Sequence, residues 1–282
     1  MTAPQAPIVV PLDGSADAEN ALPAAVRLAA AYSAPLVFVH IAGDDEGVRS
    51  DEDLARARAE FEPYARAAAR RHGVTPEPSL EVRRGSPARE ILDAAAGARF
   101  IVIATHGRGG FKAAIIGSVA DKVVRGADIP VLLVPATGDA ATLDRRPILV
   151  ALDGSDTAEA GLTLARDIAP RLGAGVALVR AYTALPPVGA EFTYYTPELL
   201  EGLEEGVRSY VTGAALPGEQ TFVVQGAAAS AILQATREVD AGMLVMTSHG
   251  RGFAARIALG STTSRVLHEI ERPLLVVPAS DD

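Results

Sequence analysis

The chain repeats itself. The run PIVVPLDGS, Pro7 to Ser15, returns as PILVALDGS, Pro147 to Ser155, 140 residues later. THGRGGFKAAIIGS, Thr105 to Ser118, returns as SHGRGFAARIALGS, Ser248 to Ser261, and IPVLLVPA, Ile129 to Ala136, returns as RPLLVVPA, Arg272 to Ala279, both 143 residues later. Three matches in one order mark a duplicated domain, because a solenoid would repeat at about 20 to 50 residues. With 282 residues the chain has room for two units, at roughly 150 residues each. The expected units are 1–140 and 145–282, joined by the polar stretch Thr137 to Arg146.

Each half alternates strand and helix. Ile8 to Leu12 and Ile148 to Leu152 are short apolar runs ended by Asp-Gly-Ser, the pattern of a strand buried on both faces. Ser15 or a neighbour is placed to cap the following helix, whose inner face is expected at Leu22, Val26 and Ala29, with Leu162, Ala165 and Ala169 in the copy. Second strands are expected at Leu36 to Ile41 and Val176 to Val179, third strands near Leu80 to Val82 and Phe222 to Val224, and fourth strands at Phe100 to Ala104 and Met243 to Met246. Leu54, Phe61, Tyr64 and Ala68 keep helical spacing, as do Leu200, Leu203, Val207 and Tyr210. Pro87 sits where proline opens a helix. A last helix and strand close each half. Such alternation predicts an α/β fold with parallel sheets and helices on both faces.

Composition narrows function by exclusion. Apolar residues make up 49% and charged residues 22%, ordinary for a globular chain. Without cysteine there are no disulfides, thiolate metal sites, iron–sulfur clusters or cysteine nucleophiles. The formal charge of −9, with no basic stripe, opposes nucleic-acid binding, and 5% aromatics with no Trp leave no base-stacking platform. No apolar run approaches the roughly 20 residues of a membrane helix. Met1 to Pro11 has no basic segment before its apolar stretch, so the expectation is a cytosolic protein with neither a secretory signal nor a membrane partner.

In an open parallel sheet, ligands bind outside the carboxyl ends of the strands, where strand order reverses. Asp13, Gly14 and Ser15 follow the first strand, and Thr105, His106, Gly107, Arg108, Gly109 and Gly110 follow the fourth. Glycines there turn backbone N–H groups toward one point, and Gly117-Ser118 opens a helix whose free N–H groups favour a phosphate. Gly250, Gly260 and Ser261 repeat the arrangement. The plainer readings stay open: glycine as turn punctuation, Asp13 as a turn cap, and Ser118 with Asp121 as a capping box. Arg108 and Arg251 are either phosphate contacts or solvated loop residues. His106 and His249 read as hydrogen-bonded loop histidines before catalysts, because no partnered nucleophile is evident. His40 comes near His106 at the strand ends, but Arg180 replaces it in the copy. No Walker loop occurs.

The Asp-Gly-Ser turn, the HGRGG loop with its nine-residue gap from Gly107 to Gly117-Ser118, and the closing PVLLVP strand together resemble the universal stress protein family in its tandem form. The resemblance implies two doubly wound, Rossmann-like five-stranded sheets of order 3-2-1-4-5, related by a pseudo-two-fold across the final strands. It also implies ATP bound with Mg²⁺ around Gly107, Gly117 and Ser118, and around Gly250, Gly260 and Ser261. Asp13 and Asp153, with neighbouring Gly14 and Gly154, match the adenosine side, and Ile41 and Ala181 fall at the end of the second strand. The family's leading glycine is Ala104 in one half and Thr247 in the other, and the β-branch of Thr247 makes the second site the more doubtful. The segment Ala181 to Thr196, with Pro186-Pro187, Tyr182, Phe192, Tyr194 and Tyr195, reads equally as a lid or as packing on the other unit. The expected function is ATP binding without required turnover, regulating protein partners. The alternatives are a nucleotide-free interaction module or a small-metabolite enzyme using the second half. Tandem halves permit a monomer with an internal pseudo-dimer, or a homodimer.

Overall fold

Both short apolar runs that end in Asp-Gly-Ser become buried strands, with only Ala151 partly exposed. The computed structural model describes residues 5–43, 48–106, 116–135, 143, 145–183, 197–248 and 259–279. In the first half β1 (Ile8–Pro11) is followed by α1 (Ala16–Glu19), α2 (Leu22–Tyr32), β2 (Leu36–Ala42), α3 (Asp51–Arg71), β3 (Ser79–Arg84), α4 (Pro87–Ala94), β4 (Phe100–Ala104), α5 (Ser118–Gly126) and β5 (Val131–Val134). In the second half come β6 (Ile148–Ala151), α6 (Asp156–Leu172), β7 (Val176–Tyr182), α7 (Pro197–Ala214), β8 (Gln220–Gln225), α8 (Ala228–Glu238), β9 (Met243–Thr247), α9 (Ser261–Glu269) and β10 (Leu274–Val277). No helix among the described residues is long and apolar enough to cross a membrane.

The strands form one sheet in the order β3-β2-β1-β4-β5-β10-β9-β6-β7-β8. Each half has the expected order 3-2-1-4-5, all parallel. The halves join where β5 meets β10 antiparallel, with Leu132 opposite Leu275. These two residues are repeat equivalents, so the pseudo-two-fold passes between them. Two apolar cores flank the sheet. One gathers residues of α1, α2, α3, α6 and α7, the other residues of α4, α5, α8 and α9, and each draws on both halves.

Several expectations are corrected. Strands β2, β3, β7 and β8 run beyond their apolar cores, because ladder hydrogen bonds belong to the backbone and recruit polar ends such as Arg83, Arg84, Gln220 and Gln225. The first helix is interrupted. Pro23, in the first turn of α2, has no N–H for the turn before it, and α1 and α2 separate at Asn20 and Ala21. The buried face of α2 includes Leu22, Ala25, Leu28 and Tyr32, and Val26 and Ala29 are partly covered and packed against the same core. In α7, Val211 is fully buried, whereas Leu203 is 41% exposed.

Candidate functional site

The reversal of strand order puts β1 beside β4 and β6 beside β9, with β2 and β7 on the outer sides. Two crevices therefore open at the carboxyl ends of these strands. The Asp-Gly-Ser turns line both. Gly14 and Gly154 take φ of 86° and 79°, a backbone conformation that penalises a side chain. Asp13 Oδ1 accepts from Ser15 N at 2.9 Å and from Ser15 Oγ at 2.6 Å, while Ser15 Oγ accepts from Ala18 N at 3.1 Å as the N-cap of α1. Asp153 and Ser155 repeat these bonds at 2.9 and 2.5 Å, and Ser155 caps α6 at 3.2 Å. One carboxylate oxygen of each aspartate is thus part of the turn.

Sequence reasoning missed the buttress behind the first turn. Tyr64 of α3 donates to the Ser15 carbonyl at 3.3 Å. Glu19, at the end of α1, is held by Arg71 at 2.6 Å and His72 at 3.1 Å. Burial alone would raise the Glu19 carboxyl, but hydrogen bonds from Arg71 and His72 hold it below the usual range. Burial, with the carboxylates of Glu19 and Asp13, pushes the Tyr64 phenol up, so it remains a donor. The spacing of Phe61 and Tyr64 announced a buried helix face, but nothing in it distinguished a phenol aimed at the turn.

Ile41 and Ala181 each lie one residue before the end of β2 and β7, both partly exposed beside the crevices. His40 is held on the sheet by its own contacts. It is buried, its Nδ1 lies 2.9 Å from the Leu12 carbonyl, and its ring stacks on Phe61 at 3.9 Å. The counterpart Arg180 lies over the Tyr210 ring at 4.4 Å. Among the described residues no group of three His, Cys, Asp or Glu is arranged to hold a metal.

At the ends of β4 and β9 the two halves match closely. Gly117 N donates to the Thr105 carbonyl at 2.7 Å, and Gly260 N donates to the Ser248 carbonyl at 2.8 Å. These two amides are committed within the chain, so the glycines serve close approach: a Cβ on Gly117 would stand 3.2 Å from Thr105 O. The next turns differ. Gly117 and Gly260 are the N-caps of α5 and α9, neither helix has a side-chain cap, and Ser118 and Ser261 occupy their first positions, exposed. Asp121 is paired with Arg125 at 2.9 Å, so it forms no capping box with Ser118. His106 places Nδ1 3.0 Å from Thr105 Oγ1, while its Nε2 is buried with no hydrogen-bond partner among the described residues.

Ala104 and Thr247 are both buried. Thr247 turns its Cγ2 toward Gly161 of α6, where the first half has Ala21, and even a Cβ at 161 would meet that methyl at 3.4 Å, an ordinary contact. The extra methyl thus lies on the α6 side of the sheet. Gly107, Arg108, Gly110, His249, Gly250 and Arg251, and the segment 184–196 of the aromatic stretch, lie outside the described residues. A cavity of about 470 Å³ between α8 and the approach to β10 is lined by Leu233, Arg237, Glu269 and Arg272, none of them at the strand ends that form the crevices.

Similarity to known proteins follows the same duplication. The model of the universal stress protein family matches residues 6–135 and 144–278. A universal stress protein of Mycolicibacterium smegmatis is 26% identical over 294 residues, covering 96% of each chain. One from Mycobacterium tuberculosis is 27% identical over 294 residues, covering 97% of each. The crystal structure of a universal stress protein from Archaeoglobus fulgidus superposes with a TM-score of 0.69 at 21% identity, over 97% of this chain and 98% of that one, a likeness of fold. With the family matched twice across nearly the whole sequence, the chain belongs to the universal stress protein family, in its tandem form.

Proposed function

We propose that this is a cytosolic stress-response protein that binds ATP in one or both crevices and changes its association with protein partners when it does so. The observation that carries the reading is the pair of helix starts, α5 and α9, that lack side-chain caps beside the strand-order reversals. N–H groups of a first turn without a cap, together with the positive end of the helix dipole, favour phosphate oxygens. The Nε2 of His106, buried and without a hydrogen-bond partner among the described residues, adds a position that a bound group would satisfy. The Thr247 methyl turns toward α6, which supports a role for the second half as well. Mg²⁺ enters with the triphosphate, whose charge an unaccompanied Asp13 or Asp153 would oppose. Binding is the function, and turnover is not required for it.

Equilibrium titration with ATP and Mg²⁺ tests this on Ser118→Glu, Ser261→Glu and the double variant. A carboxylate at a first helical position stabilises the helix yet repels phosphate, so folding is preserved while binding is attacked. The expected result is about tenfold or greater loss of affinity at each altered crevice, and undiminished affinity in the double variant refutes the assignment. The commitment of the Gly117 and Gly260 amides to Thr105 and Ser248 favours the second reading, a nucleotide-free interaction module. Absence of any ATP binding by the unaltered protein would establish it.

A further inference from the structure

The ten-stranded sheet has two outer strands, β3 and β8, which are repeat counterparts and chemically unlike. β3 reads SLEVRR, and three of its six residues are charged. Arg83 there bridges Glu81 at 3.0 Å and reaches Glu90 at 3.7 Å. Charge on an outer strand is the usual defence against pairing with another chain. β8 reads QTFVVQ: no charge, no proline, and four central residues of strong β preference. Among the described residues nothing pairs with its outer side.

The direction of the open backbone groups follows from one hydrogen bond. Gly226 N donates to Tyr182 O at 2.9 Å, beside the Tyr182–Gln225 register pair. With a period of two, Phe222 and Val224 turn their backbone groups toward β7, whereas Thr221, Val223 and Gln225 present theirs outward. An antiparallel copy of the same strand, related by a two-fold at Val223, matches this set to itself. Val223 faces Val223 of the second copy, and Thr221 faces Gln225, each pair exchanging both backbone hydrogen bonds. Phe222 then lies against Val224 of the second copy in the closer, non-hydrogen-bonded pair, an aromatic–β-branched combination that stabilises sheets. No like charges meet in this register, which matters for two chains that each carry −9. The molecule already makes a joint of this kind, where β5 and β10 pair antiparallel about Leu132 and Leu275.

We propose that β8 is a self-association edge through which two copies join antiparallel about Val223, extending the sheet across both molecules. This goes beyond ligand binding and does not depend on it. Self-complementarity selects a second copy over an unrelated extended segment, which would have no need of matched residues about a centre.

Sedimentation velocity of the full chain over a concentration series tests the proposal with two double variants at exposed positions. Thr221→Glu with Gln225→Glu sets like charges opposite each other twice and is expected to weaken the dimer at least about tenfold. Thr221→Lys with Gln225→Glu sets opposite charges in the same places and is expected to keep the dimer. Hydrogen exchange should slow with concentration at the amides of Thr221, Val223 and Gln225, but not at Gly226. A chain that is monomeric at every concentration overturns the proposal. So does a dimer indifferent to the like-charge variant, or one weakened equally by both variants.

Discussion

A threonine in one repeat stands where the other has alanine, and a glycine stands opposite it where the other again has alanine: Thr247 with Gly161 against Ala104 with Ala21. Their contact was not legible in the sequence, because the partners are far apart in the chain and only the packing of α6 on β9 brings them together. The Asp-Gly-Ser turns were legible, since a left-handed backbone conformation between a strand and a cap leaves few choices of residue. For Gly161→Ala the new methyl meets Thr247 and Val245 at 3.4 and 3.6 Å, ordinary contact. Urea unfolding should show stabilisation of about 0.5–1 kcal/mol from replacing a helix-interior glycine. A second residue pair spans the halves. Tyr32 of α2 donates to Asp167 of α6 at 2.6 Å, with Arg171 and Arg99 each 4.7 Å from the ring centroid. The Tyr32 hydrogen bond, with help from Arg171, holds the Asp167 carboxyl below its usual range against the effect of burial. Burial and Asp167 push the Tyr32 phenol up, so it stays a donor. A lowered carboxylate stabilises the fold above its unfolded value, near pH 4, and loses that contribution as pH falls through the lowered folded value. Tyr32→Phe should therefore cost about 1 kcal/mol at pH 7, given the exposure of Asp167, and progressively less below pH 4 in paired melting curves.

At the scale of elements, the alternation of strand and helix was readable throughout, while the break in the first helix and the strand ends were not. Pro23 divides a helix that its copy keeps whole, where Thr163 donates Oγ1 to the Glu159 carbonyl at 3.0 Å. The expected positions Leu22, Val26 and Ala29 all lie in α2 and pack against the core, Leu22 fully buried and the other two at the margin of the buried face. The start of α3, by contrast, is fixed by chemistry the reading did not use: Ser50 accepts from Asp53 N at 3.1 Å while Asp53 accepts from Ser50 N at 3.0 Å. Ser50→Ala should lower stability by about 1 kcal/mol in denaturant unfolding without altering the crevices, because the capped end lies on the surface. Alanine here leaves the helix intact. A loss of helical circular dichroism beyond the first turn would contradict the local role.

For the molecule as a whole, the repeat announced two units, but their fusion rests on features a repeat cannot show. The sheet is continuous through β5 and β10, each core draws on both halves, and α2 packs on α6 through the Tyr32–Asp167 bond. Neither half can lose its packing without exposing the other, so scanning calorimetry should give one cooperative transition whose calorimetric and van't Hoff enthalpies agree. Two resolved transitions would mean that the halves unfold independently.

The antiparallel joint has a geometric outcome. Strands of the first repeat and strands of the second run in opposing directions, so the two mouths look out from opposite rims of the slab. If both crevices take a ligand, as proposed above, each would hold it on its own rim.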